Sequence, residues 1–348
     1  MKIKLTLIML LLSGLTMSAQ QDTCVKAITL DAVYVTADKM AKYRDADYVM
    51  IDFEIVDDNF YILQRKSKSL SDYRILVTNM LYDSYDTIPL PSVLRPANLE
   101  FDIGENVQLV TQDSLYQIVN IDNKHYIGFP SEKKHYQEVM HNCLFMTDRF
   151  VYFCDTKADG YLLNFYRIDP KAKTNEIIFR NNDVGKLAEI PQEVSWHAAH
   201  TAKVCDMWIG PSPEQWEMFM RNSMMRPDQA YLGHSRDTLY YFDHKNRKIE
   251  TYDEDLNLLN SCSITYPDDQ AFWRHKMYQD RVTGKFYTVF GTTLNEIDVK
   301  TGKTIPKISA NNYLSQKIII YKGNLYSLKK RRDSSNAEIS YIEKTKIN

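Results

Sequence analysis

The stretch SRDTLYYFDHKNRKIETYDEDLNLLNSCSI, Ser235 to Ile264, contains three strands and the turns between them. Leu239 to Phe242 is aromatic and β-prone, His244 to Arg247 is a polar turn, and Lys248 to Tyr252 is a second strand. Asp253 to Asp255 turns the chain again, and Leu258 to Ile264 closes the unit. With a strand ahead of Leu239, the unit becomes a four-stranded antiparallel meander in about 40 residues, the size of one propeller blade.

The same grammar recurs along the chain. DDNFYILQRKSKSLSDYRILVTNMLYDSYDTIPL starts at Asp57, GENVQLVTQDSLYQIVNIDNKHYIGF at Gly104 and TDRFVYFCDTKADGYLLNFYRIDPKAKTNEIIF at Thr147. TGKFYTVFGTTLNEIDVKTGKTIPKI follows from Thr283 and KGNLYSLKKRRDSSNAEISYIEKTK from Lys322. The aromatic strands begin near residues 60, 107, 150, 238, 286 and 325, so one step of 88 is double the others. An all-β, six-bladed β-propeller over residues 47–348 is expected, with seven blades as the alternative. The doubled step holds residues 181–230, which lack the aromatic strand. Within them Ser212-Pro213-Glu214-Gln215 is a capping box with proline at the first helical position. Trp216, Phe219, Met220 and Met224 follow at helical spacing, which predicts a helical insertion between the third and fourth blades.

Composition agrees with a β-rich globular chain. Of 348 residues 44% are hydrophobic and 25% charged, and 24 Tyr with 14 Phe stand against 11 Gly. The formal charge of −2 gives no electrostatic footprint for nucleic acid. Residues 1–19 have the form of a signal peptide: Lys2 and Lys4, an apolar run from Leu5 to Leu12, and the small-residue exit Met17-Ser18-Ala19. No later stretch reaches the ~20 apolar residues of a spanning helix. Export to the periplasm or beyond is expected, with no spanning segment in the mature chain. Cys24 lies too far past the cut for a lipid anchor. The segment 20–46 contains Leu30 to Ala37, an alternating run that would close the ring by completing a last blade with only three strands of its own. LDAVYVTADKM, of which that run is part, is also similar to a phrase near the start of TonB-dependent receptor plugs, but no membrane-barrel pattern follows it.

The phrases DNFYIL, DRFVYFCD, DTLYYFD and GNLYSL resemble those of the secreted six-bladed propellers of the NHL and TolB-like kind found in Bacteroidota, and the short Lys-rich leader resembles leaders of that group. The resemblance implies a fold and no chemistry, because propellers of this kind include binders, scaffolds and a minority of enzymes.

Catalytic signatures are sparse. No nucleophile elbow, sialidase box or phosphate-binding glycine loop occurs. Asp155 to Gly160 imitates the start of a calcium loop but has Lys157 at a ligand position. SWHAAHTAKVCDMW, from Ser195, offers His197, His200 and Cys205 as a weak zinc set whose spacing fits no standard pattern, so no metal and no cofactor are expected. Acid–base candidates for a glycan hydrolase or lyase are His197, His200 and His234. The insertion also concentrates Trp196, Trp208 and Trp216 beside Phe219 and Met220, an aromatic and methionine-rich surface suited to partner contact. The sequence therefore points first to a non-catalytic binding or scaffold module for a protein, peptide or glycan-derived ligand of the cell envelope, and second to the hydrolase or lyase. If Asp148-Arg149 is a two-residue turn, Cys143 faces Cys154 across a hairpin and a disulfide is possible there, with two reduced thiols as the alternative.

Overall fold

The computed structural model describes residues 47–347 apart from residues 83, 135, 137–139, 141, 158–161, 184, 186–187, 190, 192–229, 267–272, 310–316 and 333–337. The described residues are almost entirely β. Sheet 1 comprises β1 (Tyr48–Val56), β2 (Asn59–Lys66), β3 (Tyr73–Asn79) and β4 (Tyr85–Leu90). Sheet 2 holds β5 (Asn98–Phe101), β6 (Val107–Val110), β7 (Ser114–Ile121) and β8 (Lys124–Glu132). In sheet 3 run β9 (Cys143–Met146), β10 (Val151–Lys157), β11 (Leu162–Asp169) and β12 (Thr174–Asn182). Sheet 4 has β13 (Tyr231–Ser235), β14 (Thr238–Asp243), β15 (Lys248–Tyr252) and β16 (Leu258–Ser263). Sheet 5 has β17 (Trp273–Gln279), β18 (Phe286–Phe290), β19 (Thr293–Ile297) and β20 (Thr304–Ser309). Sheet 6 is three-stranded among the described residues, with β21 (Ile318–Tyr321), β22 (Asn324–Arg332) and β23 (Glu338–Lys346). Every sheet is an antiparallel meander in chain order.

Local chemistry explains the hairpins. The β1–β2, β7–β8 and β21–β22 connections are two-residue turns with both residues at positive φ: Asp57-Asp58, Asp122-Asn123 and Lys322-Gly323. Such turns match the twist of the flanking strands and favour Asp, Asn and Gly. Longer turns are held by an aspartate at the strand end. Asp243 accepts from the Asn246 N–H (2.9 Å), and Asp169 from those of Lys171 and Ala172 (both 2.9 Å).

The second strands β2, β6, β10, β14, β18 and β22 begin within one residue of the positions read from the sequence. Their apolar residues form the cores between sheets. Phe53, Phe60 and Ile62 of sheet 1 pack with Tyr326, Leu328 and Ile342 of sheet 6, joining the ends of the described chain. Further clusters join sheets 1 and 2, 3 and 4, 4 and 5, and 5 and 6. No such cluster spans sheets 2 and 3 among the described residues. Ile121, Tyr126 and Phe129 of sheet 2 and Leu144 and Met146 of sheet 3 are exposed.

The predicted helix over Ser212 to Met224, most of the 181–230 insertion and the ring-closing run Leu30 to Ala37 lie outside the described residues. The basic run Lys329 to Arg332 lies in strand β22, and Lys329 pairs with Glu343 on β23 at 3.0 Å.

Candidate functional site

One cavity of about 890 Å³ takes part of its wall from every sheet. Glu54 of β1, Phe101 of β5, Phe145 of β9, His234 of β13, Arg281 just after β17 and Lys317 just before β21 all line it. Each sheet thus turns its first strand toward a common space. These strands are the edges of their sheets and leave one row of main-chain groups free of ladder bonding.

Lys317 is fully engaged. Its ammonium lies 2.5 Å from Glu54 Oε1 and 3.1 Å from Asp52 Oδ1, and donates to the Leu99 carbonyl at 3.1 Å. Asp52 is further fixed by the N–H groups of Phe53 and Leu99, both at 2.8 Å. This cluster ties sheets 1, 2 and 6 at the cavity wall. Burial raises the Glu54 carboxyl above its ordinary value, with Lys317 and then Arg281 pulling it back.

Arg281 differs. Its guanidinium carbon sits 3.7 Å from the centroid of the Phe101 ring. Among the described residues it has no hydrogen bond and no carboxylate within ion-pair distance. Desolvation lowers its pKa, and the charges of Glu54, Tyr231 and Glu105 act from farther away in the opposite sense. The side chain lines the cavity and is exposed to solvent.

The phenols at the cavity are held protonated. Tyr136 is pushed up to about 12 by burial and then by the nearby Glu100 and Asp102, and burial brings Tyr231 to about 12. Asp102 is saturated by the N–H groups of Gly104 (2.8 Å) and Asn106 (3.0 Å) and by the Gln108 amide (2.7 Å).

Of the acid–base candidates, His234 lies within the described residues. It lines the cavity, stacked on Phe145 at 5.2 Å between centroids, and its Nε2 is buried without a hydrogen-bond partner. Desolvation lowers its pKa, against the backbone of Arg236 and the charges of Glu254 and Asp237. No carboxylate stands within ion-pair reach of it among the described residues, and burial favours its neutral imidazole form. His197, His200, Cys205, Trp196, Trp208, Trp216, Phe219 and Met220 lie outside the described residues. Among the described residues no group of three or more His, Cys, Asp or Glu is placed to hold a metal ion.

The Cys143–Cys154 pairing is corrected by the structure. The hairpin keeps the expected register at Val151 opposite Met146 and Tyr152 opposite Phe145, and then a bulge places Cys143 opposite Phe153. Neither cysteine is in a disulfide, as in the alternative of two reduced thiols. The bulge adds a residue that turn arithmetic does not count.

The residues with the strongest chemistry at this site, Arg281, Lys317, Glu54 and Phe101, were missed in the sequence. A signal was present in β1, whose VMIDFEIV pattern buries two carboxylates, Asp52 and Glu54, within an apolar run. Buried carboxylates require partners, and here that partner is Lys317.

No family model and no curated protein matches the chain. Among solved structures it is similar to a luciferin-regenerating enzyme, with 10% identity and a TM-score of 0.39 over 85% of this chain and 91% of that one. It is also similar to the β-propeller domain of the Trilobed protease from Pyrococcus furiosus, at 10% identity and a TM-score of 0.31 over 86% and 84%. The extracellular domain of a proposed one-component system from B. thetaiotaomicron aligns at 8% identity and a TM-score of 0.35 over 87% of this chain and 36% of that one. With identities near one in ten and TM-scores below 0.5, none of these proteins assigns a role to any residue here.

Proposed function

We propose that this protein is an exported, non-catalytic six-bladed propeller that binds a peptide or glycan-derived ligand in its axial cavity and docks to an envelope partner through the 181–230 insertion. The observation that supports this reading is a cavity lined by the first strand of each of the six sheets, with Arg281 at its wall and without an ion-pair partner among the described residues. A cavity of this volume accommodates a small ligand. The groups around it favour holding over activating: the lysine is neutralised, the phenols stay protonated, and among the described residues no carboxylate orients His234. The signal-like residues 1–19 support export, and among the described residues no helix is long and apolar enough to cross a membrane.

The test is native mass spectrometry of the protein isolated gently from its producing cells, together with crosslinking and identification of co-purified proteins. A bound low-mass species is expected, lost when Leu144 at the cavity wall is replaced by Trp. A stoichiometric partner is expected too, weakened by replacing Trp196, Trp208 and Trp216 together. If neither a bound species nor an enriched partner is found, the reading is wrong.

A further inference from the structure

The two cations of the cavity are not equivalent. Lys317 has Glu54 and Asp52 against it, whereas Arg281 has an aromatic ring and no anion. Arg281 follows β17 in sheet 5, and Phe101 ends β5 in sheet 2, three sheets away in chain order in either direction. Its guanidinium therefore meets a wall other than its own. Its N–H donors have no protein acceptor among the described residues, so an arriving anion takes them up without first displacing a protein contact. The planar guanidinium fork matches a carboxylate through two parallel N–H donors.

The surroundings narrow the anion further. Glu54, Glu100, Asp102 and Glu105 also line the cavity, and no second unpaired cation is found there among the described residues. Their negative field disfavours a doubly charged phosphate and tolerates a single charge held directly on Arg281. Glu100 and Glu105 have no ion-pair partner among the described residues, so they present acceptors to donors farther along the ligand. Free main-chain groups on the first strands supply more hydrogen-bonding positions.

We propose that the axial cavity takes a ligand bearing one carboxylate, anchored by the Arg281 guanidinium beside Phe101, with its hydrogen-bond donors turned toward Glu100 and Glu105. This rests on the binding role proposed above. Two sources carry that chemistry, the C-terminus of a short peptide and the acid group of a glycan-derived uronate.

The experiment is calorimetric titration of the full chain with the tripeptide N-acetyl-Gly-Phe-Leu and with the methyl glycoside of galacturonate, which carry one carboxylate apiece, each beside its neutral partner, the C-terminal amide and the methyl ester. At least one free acid binds, roughly tenfold or more tighter than its neutral partner, and which acid binds identifies the source. R281Q, which removes no hydrogen bond within the described residues, should keep the unfolding temperature and lose the preference for the acid, while R281K recovers part of it. Equal binding of acid and neutral forms, or an R281Q variant that keeps the preference, overturns the proposal. If none of the four compounds binds but the isolated protein still carries a low-mass species, the carboxylate proposal fails and the binding role stands. If that species is missing as well, both fail.

Discussion

Asp280 has no exposed surface, and its carboxylate accepts the N–H groups of Val282 (3.1 Å) and Thr283 (3.3 Å) in its own turn. It also accepts those of Lys322 (3.2 Å) and Gly323 (2.7 Å) in the β21–β22 turn, so one side chain fastens sheet 5 to sheet 6. D280A strands four donors and is expected to cost about 3 kcal/mol in urea unfolding, with D280N costing less. An unchanged midpoint for D280A would contradict the assignment. In the same turn Gly284 has φ +71° and lies so near Ser235 that an added Cβ would sit 1.9 Å from its Oγ. Left-handed backbone and lack of space act together, and G284A should lose about 1–3 kcal/mol. Titration adds opposing slopes. The Asp58, Asp253 and Asp298 carboxyls are lowered by side-chain hydrogen bonds from Lys322, Asn257 and Thr301 respectively. Their contribution is present above the unfolded value near ~3.9 and lost as pH falls through the folded one, and it is small because they are exposed. Glu54 runs the other way. Raised by burial, it favours the folded state fully below ~4.3 and loses that contribution as pH rises through its folded value. Denaturation over the acid to neutral range should show a flatter profile in that upper window for E54Q. A profile that E54Q leaves unchanged would mean Glu54 titrates elsewhere.

At the scale of the element, the bulge in β9 decides the cysteine chemistry. Burial pushes the Cys143 thiol up to about 11 and also raises Cys154, so both are protonated and slow to react at neutral pH. Peptide mapping after alkylation in denaturant without reductant should find Cys143 and Cys154 both modified, and slow modification of both in the native protein. A linked Cys143–Cys154 peptide would contradict this. The same element shows how far the sequence could be read. Second strands such as β14, TLYYFD, are aromatic runs between turn signals, and their starts are legible. First strands such as β5, NLEF, are mixed, because one edge faces the cavity and their side chains divide between core and cavity. Arg281 sits just outside a strand, next to Asp280, and nothing in its local pattern distinguishes it from a solvated turn arginine. Its role emerges only when sheets 2 and 5 are brought together.

Across the whole molecule, cohesion is uneven. Sheets 6 and 1 share a cluster of aromatic and aliphatic residues, the Lys317 carboxylate pair, and the Lys322–Asp58 pair at 2.6 Å, although these groups are more than 250 residues apart in the chain. F53A should therefore cost about 3–5 kcal/mol, since the Phe53 side chain is fully buried in that cluster. Between sheets 2 and 3 the joining material is the connector after β8, where the Met140 N–H donates to the Tyr136 carbonyl at 2.7 Å. Hydrogen exchange should consequently be fastest among sheet amides in β8 and β9, and uniform protection around the ring would contradict the uneven packing. Packing and covalent continuity are thus complementary here. Where the described chain has its two ends, side chains close the gap, and where side chains share no core, the peptide bond spans it. Among the described residues five pairs of sheets share a core, and sheets 2 and 3 are the pair that does not. A circular permutant opened in that connector, with its old ends linked, would divide none of the five interfaces and should fold to the same ring.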